Sequence, residues 1–263
     1  MKTKLSLVMS VYNQEKYLKK AIKSIIDQSF KKFEFLILDD GSTDNSWKII
    51  KSFNDPRIKV FRHRQRQGLA KGLNFLIAKT EGEYIGRMDG DDVAYKNRLE
   101  KEVGFLDKNP EIALVGSWAR IGDQKGRVVG FFKHPTKYIQ IRRAILSYNP
   151  FVHPTVVFRK KAFKQVGGYN ENLFYAQDYD LFLKFVVRYP CANLGQFLLK
   201  FRWDPDYKKQ KQQHKIGLKI RWKAIKDYGY SKEEVFKLIK PLIFYLVPTA
   251  VKKFYWNLRF KAK

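Results

Sequence analysis

Apolar runs alternate with stretches of helical period through the first ninety or so residues, and this alternation restricts what the chain can fold into more than any other feature. Leu5–Val11 reads as a first strand. Residues 15–28 then place Leu18, Ala21, Ile22, Ile25 and Ile26 on one helical face. Strands are expected again at 33–38, 57–62 and 83–87, with helices at 42–53 and 68–79 between them. Ser, Thr and Asp residues are available to cap the helix at 42. Such β-α alternation predicts a mostly parallel sheet flanked by helices, in which ligands bind beyond the carboxyl ends of the strands. Asp39-Asp40 and the cluster Asp89 to Asp92 both fall at expected strand ends, which favours a site there.

The second half is less regular. Helices are expected at 96–106, 138–146 and 178–189, and strands at 112–121 and 127–131. In the last of these helices Leu181, Phe182, Phe185 and Val186 are in register. A Pro-bounded segment fills 149–154, and after about Trp203 the pattern changes to basic helices. No internal repeat or low-complexity segment occurs.

Composition removes whole classes of function. At 44% hydrophobic and 16% aromatic, the 263 residues have ample material for a core, so disorder of the whole chain is excluded. Cys191 is the sole cysteine, which rules out an intramolecular disulfide or a Cys-rich zinc site and suits a reducing compartment. It reads as a buried small apolar residue. Lys2 and Lys4 precede an apolar stretch too short for a signal peptide, and no small-residue cleavage site follows. No run reaches the roughly 18–20 apolar residues of a membrane span. The expectation is a cytoplasmic protein, or one held peripherally at the inner face of the cell membrane.

The formal charge of +28 calls for an anionic partner: nucleic acid, a lipid surface or an acidic substrate. Residues 200–263 hold 18 basic against 5 acidic side chains. No nucleic-acid reading motif accompanies this charge, so no nucleic-acid partner is expected.

Three carboxylate groups can carry chemistry. Asp89, Asp91 and Asp92 lie within four residues, where mutual repulsion normally requires a cation. Mn²⁺ or Mg²⁺ with a nucleotide diphosphate fits, with Arg87 beside it; a solvated turn is the plainer alternative. After Asp39-Asp40, Gly41 permits a tight strand-to-helix turn, and the carboxylates can accept hydrogen bonds from a base or ribose, or Ser42 and Asp44 can simply cap the helix. Asp178, in Ala176-Gln177-Asp178-Tyr179-Asp180, is either a helix cap or a general base. His153 between Val152 and Pro154 is either packed or a metal or diphosphate contact. Gly68 and Gly72 form no dinucleotide or P-loop fingerprint, which argues against a dehydrogenase or NTPase.

These pieces together resemble the inverting, nucleotide-sugar-dependent glycosyltransferases of family two, which have the GT-A fold. The resembling text runs from Leu7-Val8-Met9-Ser10-Val11-Tyr12-Asn13 through Leu38-Asp39-Asp40-Gly41-Ser42-Thr43-Asp44 to Gly68-Leu69-Ala70 with Asn74. It continues in Ile85-Gly86-Arg87-Met88-Asp89-Gly90-Asp91-Asp92, Arg98-Leu99-Glu100 and Val115-Gly116-Ser117. Asn149-Pro150-Phe151-Val152-His153-Pro154-Thr155, Gly167-Gly168-Tyr169 and Gln177-Asp178-Tyr179-Asp180-Leu181 complete it, covering about 3–203. The resemblance implies an α/β fold with a GT-A-type mostly parallel mixed sheet and a basic C-terminal helical appendage. The implied division is a catalytic domain at 1–205, with a donor half to about 120 and an acceptor half from about 121, and a tail at 206–263. It implies nucleotide-sugar contacts at Val11, Asn13, Asp39, Asp40, Lys71, Arg87, Asp89 and Gly90. Asp91, Asp92 and His153 would serve a Mn²⁺ or Mg²⁺ ion, Asp178 would be the general base, and Gln177 and Asp180 would face the acceptor.

Gln177 stands where the family usually has Glu, which bears on acceptor identity. Processive members carry Gln-x-x-Arg-Trp after the base; here Leu218 precedes Arg221-Trp222, so one sugar is expected per reaction. The implied activity is transfer of one sugar from a nucleotide diphosphate donor, a UDP-sugar by preference, to a hydroxyl of a glycan or lipid-linked acceptor in cell-surface polysaccharide assembly. A sugar nucleotidyltransferase is the main rival, but it requires a Gly-rich basic loop after the first strand, where this chain has Tyr12-Asn13-Gln14-Glu15. In the tail, an apolar run at 242–247 and Lys252-Lys253 among Phe254, Tyr255 and Trp256 suit either an anionic membrane interface or packing on the domain.

Overall fold

A strand buried on both faces has no polar side, and the first two strands show this in their composition. In the computed structural model, which describes residues 3–203, 207–248, 250, 251 and 254, β1 (Leu5–Val11) is buried except at Ser10 and β2 (Phe33–Asp39) is buried throughout. Successive side chains point to opposite faces. Leu7, Met9, Phe35 and Ile37 therefore enter one core, and Val8, Leu36 and Leu38 the other.

β1 pairs in parallel with β2 on one side and with β4 (Tyr84–Arg87) on the other, and β3 (Ile58–Arg62) extends the sheet beyond β2. Past β4 the sheet becomes mixed. β8 (Val157–Arg159) runs antiparallel to β4 and to β6 (Leu114–Gly122), while β9 (Cys191–Arg202) is parallel to β6. β5 (Val93–Ala94) closes the order β3-β2-β1-β4-β8-β6-β9-β5, and β7 (Val128–Phe132) pairs with β6.

Helices cover both faces, as expected of an α/β fold. α1 (Leu18–Ile26), α2 (Ser46–Lys51) and α4 (Arg98–Lys108) feed the first core through Leu18, Ile22, Ile25, Ile50, Leu99 and Leu106. α3 (Leu69–Ala78), α5 (Tyr138–Ala144), α6 (Lys160–Gln165) and α7 (Gln177–Arg188) feed the second. Burying each large apolar side chain contributes roughly 1.5–3 kcal/mol, so these stripes hold the short helices in place. α8 (Tyr207–Asp227) adds Ile220, Ala224 and Ile225 to the second core. A 3-10 turn (Lys232–Leu238) and α9 (Ile239–Leu246) follow. Among the described residues no helix is long and apolar enough to cross a membrane. Lys252, Lys253, Tyr255 and Trp256 of the expected aromatic-basic tail lie outside the described residues.

Several elements differ from expectation. The β5, β8, β9 and α6 segments carry no clear period. β9 is the longest strand, yet Asn193, Gly195 and Gln196 interrupt its alternation where its register against β6 shifts around Ser117 to Ala119. The division expected near 120 falls inside β6, so the two halves share one sheet. α2 starts at Ser46 rather than 42; its N-cap residue Asn45 makes no side-chain cap, and Asp44 Oδ1 accepts from the Ser46 N–H at 2.9 Å.

Candidate active site

The carboxyl ends of β1, β2 and β4 meet on one edge, with Val11 paired to Asp39 and Val8 to Arg87. Two loops leave this edge and are tied together by side chains that in isolation would suit caps. Asn13, at φ 52°, accepts from the Thr43 N–H at 2.9 Å, and its own N–H donates to Ser42 Oγ at 3.1 Å. The Gln14 N–H donates to Ser46 Oγ at 2.8 Å and the Glu15 N–H to Asp44 Oδ2 at 3.0 Å. The loop after β1 is thereby held rigid, although it contains no glycine.

Asp39 is fully buried. Its Oδ1 accepts from the Ser42 N–H at 3.1 Å, and its Oδ2 forms an ion pair with Arg62 Nε at 3.0 Å without a properly directed hydrogen bond. Both oxygens of Asp40 have protein partners. Oδ1 accepts from the Gln67 N–H at 3.0 Å and lies 2.8 Å from His63 Nδ1, while Oδ2 accepts from the Gly68 N–H at 2.8 Å. These contacts fold the loop before α3 against the site. Gly41, at φ 77°, lets that loop approach, since a Cβ there would lie 2.8 Å from Arg66 N. Arg66 in turn lies over the rings of Tyr12 and the exposed Phe174, at 4.2 and 5.4 Å. Val11 is buried with its carbonyl already accepting from the Asp40 N–H, and Lys71 is exposed on the first turn of α3.

After β4 the chain presents Asp89, Asp91 and Asp92, whose ligand oxygens lie within 4.8 Å of one another, the only such group of three among the described residues. Gly90 between them is buried, against Leu18 and Gln14. Burial and the neighbouring Asp89 charge push the Asp91 carboxyl up to about 6, and Asp92 is raised well above the usual carboxylate range for the same reasons. Asp92 Oδ1 accepts from the Arg202 N–H at 2.7 Å, but its buried Oδ2 has no hydrogen-bond partner. A hard divalent cation would satisfy that oxygen and relieve the repulsion, so the donor set fits Mn²⁺ or Mg²⁺. His153 does not belong to this group. Its Nε2 lies 2.8 Å from Tyr169 Oη, and burial together with the Arg87 charge holds it neutral.

Arg87 links the acidic group to the far side of the site. Burial opposes its charge, but the Asp89 carboxylate, which accepts from Nη1, outweighs that and keeps it cationic. The same charge acts on Asp91, Asp92, His153, Tyr169 and Asp178. Asp178 sits in the first turn of α7, after Ala176 in the left-handed conformation, and Asn149 Nδ2 donates to its Oδ2 at 3.0 Å. Burial raises the Asp178 carboxyl, while the Tyr179 N–H and Arg87 limit the rise. Gln177 beside it has a buried Oε1 with no hydrogen-bond partner, and Asp180 forms an ion pair with Lys184 at 2.7 Å.

Sequence reasoning missed the residues that support these groups. Arg98 is fully buried and donates from Nη2 to the Arg87 carbonyl at 2.8 Å and from Nε to Glu102 Oε2 at 3.0 Å. Glu102, which burial raises to about 7, accepts from Ser117 Oγ at 3.0 Å, and the Ser117 N–H donates to Thr155 Oγ1 at 3.1 Å. This chain fixes β4, α4, β6 and the His153–Thr155 turn to one another. The i,i+4 spacing of Arg98 and Glu102 on an otherwise apolar helix face was the available signal. Arg202, whose Nε donates to the Asp91 carbonyl at 3.1 Å and whose guanidinium stacks on Tyr17 at 3.6 Å, had none, because β9 itself was not legible.

Known proteins are similar to this chain in sequence and in fold. The sequence model of Glycosyl transferase family 2 matches residues 6–167. The uncharacterized glycosyltransferase MJ1057 of Methanocaldococcus jannaschii is 32% identical over 95% of this chain and 91% of its own length. The O-antigen biosynthesis glycosyltransferase WbnJ of Escherichia coli is 31% identical over 75% of this chain and 79% of its own. Among solved structures, S. aureus TarS in complex with UDP-GlcNAc superimposes with a TM-score of 0.69 at 22% identity, over 92% of this chain and 71% of that one. The mannosyltransferase PcManGT from Pyrobaculum calidifontis, in complex with GDP-Man and Mn²⁺, does so at 0.66 and 17%, over 85% of this chain and 64% of that one. The structures share the fold; the sequence match spans more than half of the chain and the relatives exceed 30% identity along most of it, so the chain belongs to glycosyl transferase family 2 and is a glycosyltransferase.

Proposed function

We propose that this glycosyltransferase moves one sugar from a UDP-sugar to an acceptor hydroxyl with inversion, in the assembly of a cell-surface glycan, with Asp178 as general base. The observation that carries the reading is the group of Asp89, Asp91 and Asp92 with its unpartnered buried oxygen, accompanied by a raised carboxyl at Asp178 that feels the same Arg87 charge. The acceptor oxygen attacks the anomeric carbon as Asp178 takes its proton, and the bond from that carbon to the diphosphate breaks on the opposite face. Asn149 is a positioning residue that orients the Asp178 carboxylate. Asp39 and the loop from Tyr12 to Glu15 would hold base and ribose, with Arg66 stacked on Tyr12 closing that side. A Mn²⁺ or Mg²⁺ ion held by Asp91 and Asp92, with Asp89 beside them, supplies charge compensation for the departing diphosphate when bound.

Names of relatives support the setting: WbnJ is a glycosyltransferase of O-antigen biosynthesis and AmsE of Erwinia amylovora one of amylovoran biosynthesis. The test is a panel of UDP-, GDP- and dTDP-sugars with and without Mn²⁺, read by thermal shift and by nucleotide release. The expected result is Mn²⁺-dependent stabilisation by the UDP class, lost in Asp91→Ala and kept in Asp178→Asn. No response to any nucleotide would overturn the reading, and a GDP or dTDP response would correct its donor.

A further inference from the structure

A helix that is apolar nearly all round is ordinarily buried. α9, in which Lys240 is the only charged residue, instead leaves most of its surface exposed. Ile239, Leu242, Ile243 and Leu246, at i, i+3, i+4 and i+7, are 45–68% exposed, whereas Pro241 is buried. Nine of the fifteen exposed large apolar side chains among the described residues fall between 235 and 254, so the exposure is concentrated rather than scattered. An open groove of about 380 Å³ runs along this face, lined by Phe236, Ile239, Ile243 and Phe244 with Lys237 and Lys240.

The neighbouring helix supplies charge. Lys211, Lys215, Lys219 and Lys223 of α8 are exposed at four-residue steps, one side of a helix, with Trp222 exposed beside them. α8 and α9 are in contact, the ring of His214 lying 6.0 Å from that of Phe244. A second copy of the chain is a poor cover for this face, because each copy carries a formal charge of +28 and like charges would be brought together. An anionic bilayer suits both stripes: lysines lie at headgroup depth and are attracted by the surface potential, and apolar side chains enter the acyl boundary.

We propose that α8 and α9 form a seat for an anionic lipid bilayer, with the apolar stripe of α9 inserted at the interface and the lysine row of α8 on the headgroups. The seat adjoins the acceptor side of the site. Arg221 of α8 donates from Nε to the Leu146 carbonyl at 2.8 Å, three residues before Asn149. The proposal stands independently of the transfer mechanism, since it rests on surface chemistry alone.

The test is flotation of the full chain with phosphatidylcholine vesicles containing 30% phosphatidylglycerol, against pure phosphatidylcholine, at low and high salt. Binding to the anionic vesicles is expected, at least tenfold weaker in 500 mM NaCl, in Ile243→Glu/Leu246→Glu and in Lys215→Glu/Lys219→Glu. All four positions are exposed, and a melting midpoint equal to that of the parent chain verifies folding. Should a variant fail that check, hydrogen exchange on the parent chain decides: slower exchange at 239–246 on adding anionic vesicles is the supporting result. No flotation, or flotation indifferent to Ile243→Glu/Leu246→Glu, would overturn the proposal. So would a dimer in sedimentation velocity that the same double substitution dissociates, because a second copy would then cover the face.

Discussion

Burial raises the carboxyls of Asp178 and of Asp91 and Asp92, but the consequences differ because Asp178 stands alone and the others stand together. A lone raised carboxyl is a better base near neutrality than an ordinary aspartate, and its active form is lost as pH falls through the raised pKa. Asp178→Asn is expected to lower kcat by 10²–10⁴-fold with the UDP-dependent thermal shift retained, as measured by steady-state nucleotide release. Asn149 Nδ2 stabilises the charged carboxylate, so Asn149→Leu should raise the Asp178 pKa further and move the acid limb of the pH–kcat profile to higher pH. For Asp91 the raised pKa means that the folded state without metal binds protons more readily than the unfolded chain. The metal-free fold is therefore most favoured below the ordinary carboxylate range and loses stability as pH rises through about 6. Mn²⁺ competes with those protons. Its addition should raise the melting midpoint by about 5–10 °C at pH 7.5 and by clearly less at pH 5, followed by calorimetry. Asp89, Asp91 and Asp178 were legible because three carboxylates in four residues, or one at the start of an apolar helix, stand out in one dimension. The contrast between Asp39 and Asp40 was not legible: the residues that occupy Asp40, Gln67 and Gly68, arrive from a loop more than twenty-five positions away.

Among the elements, α4 does most to hold the site together. Its Arg98–Glu102 pair is fully buried and reaches both the Arg87 carbonyl and Ser117. Removing one partner of such a pair leaves a buried charge uncompensated. Glu102→Ala should cost about 3–5 kcal/mol in chemical denaturation, and Arg98→Met/Glu102→Leu should cost less than either single change. If the double variant is instead the least stable, the pair is a net stabiliser rather than a device for registering β4 against β6. The loop after β2 depends on Gly41, where a side chain would meet Arg66 N and the positive φ is unfavourable to any L residue. Gly41→Ala should destabilise by more than about 1 kcal/mol in the same assay and weaken nucleotide binding, since the loop from His63 to Gly68 would have to move. The period-based reading located β1 to β4 and α1 to α4 because β1, β2 and β4 are near-continuous buried runs, β3 is a short edge strand with half-buried Ile58, Val60 and Phe61, and the helices bury one face. It failed at β5, β8 and β9, which are short or bulged and whose partners lie far along the chain.

For the whole molecule, the charge of +28 is the dominant property. Several of the ion pairs among the described residues, such as Lys23–Asp27 and Lys59–Glu81, are at the surface, where each contributes at most about 1 kcal/mol, so net repulsion is expected to outweigh them. Raising NaCl from 20 to 300 mM should therefore raise the melting midpoint of the protein in the absence of vesicles, as screening relieves self-repulsion. A decrease would mean that the ion pairs carry more of the stability than the net charge removes. The same salt increase should release the chain from anionic vesicles, so stability and attachment respond in opposite directions.

The amino-acid order alone determined the α/β class, the parallel start of the sheet, the acidic group at a strand end and the carboxylate opening α7, because each rests on neighbours within one or two turns of chain. Only the tertiary structure decided that Asp40 organises a loop, that His153 pairs with Tyr169 instead of joining the carboxylates, and that one buried arginine faces both halves of the site. It also decided the orientation of α9. A stripe at 239, 242, 243 and 246 has the same period whether it faces the core or the solvent, and only the packing of α8 and α9 on the domain left it outside. Local sequence sets which faces are apolar, whereas burial, charge pairing and orientation depend on contacts between segments distant in the chain.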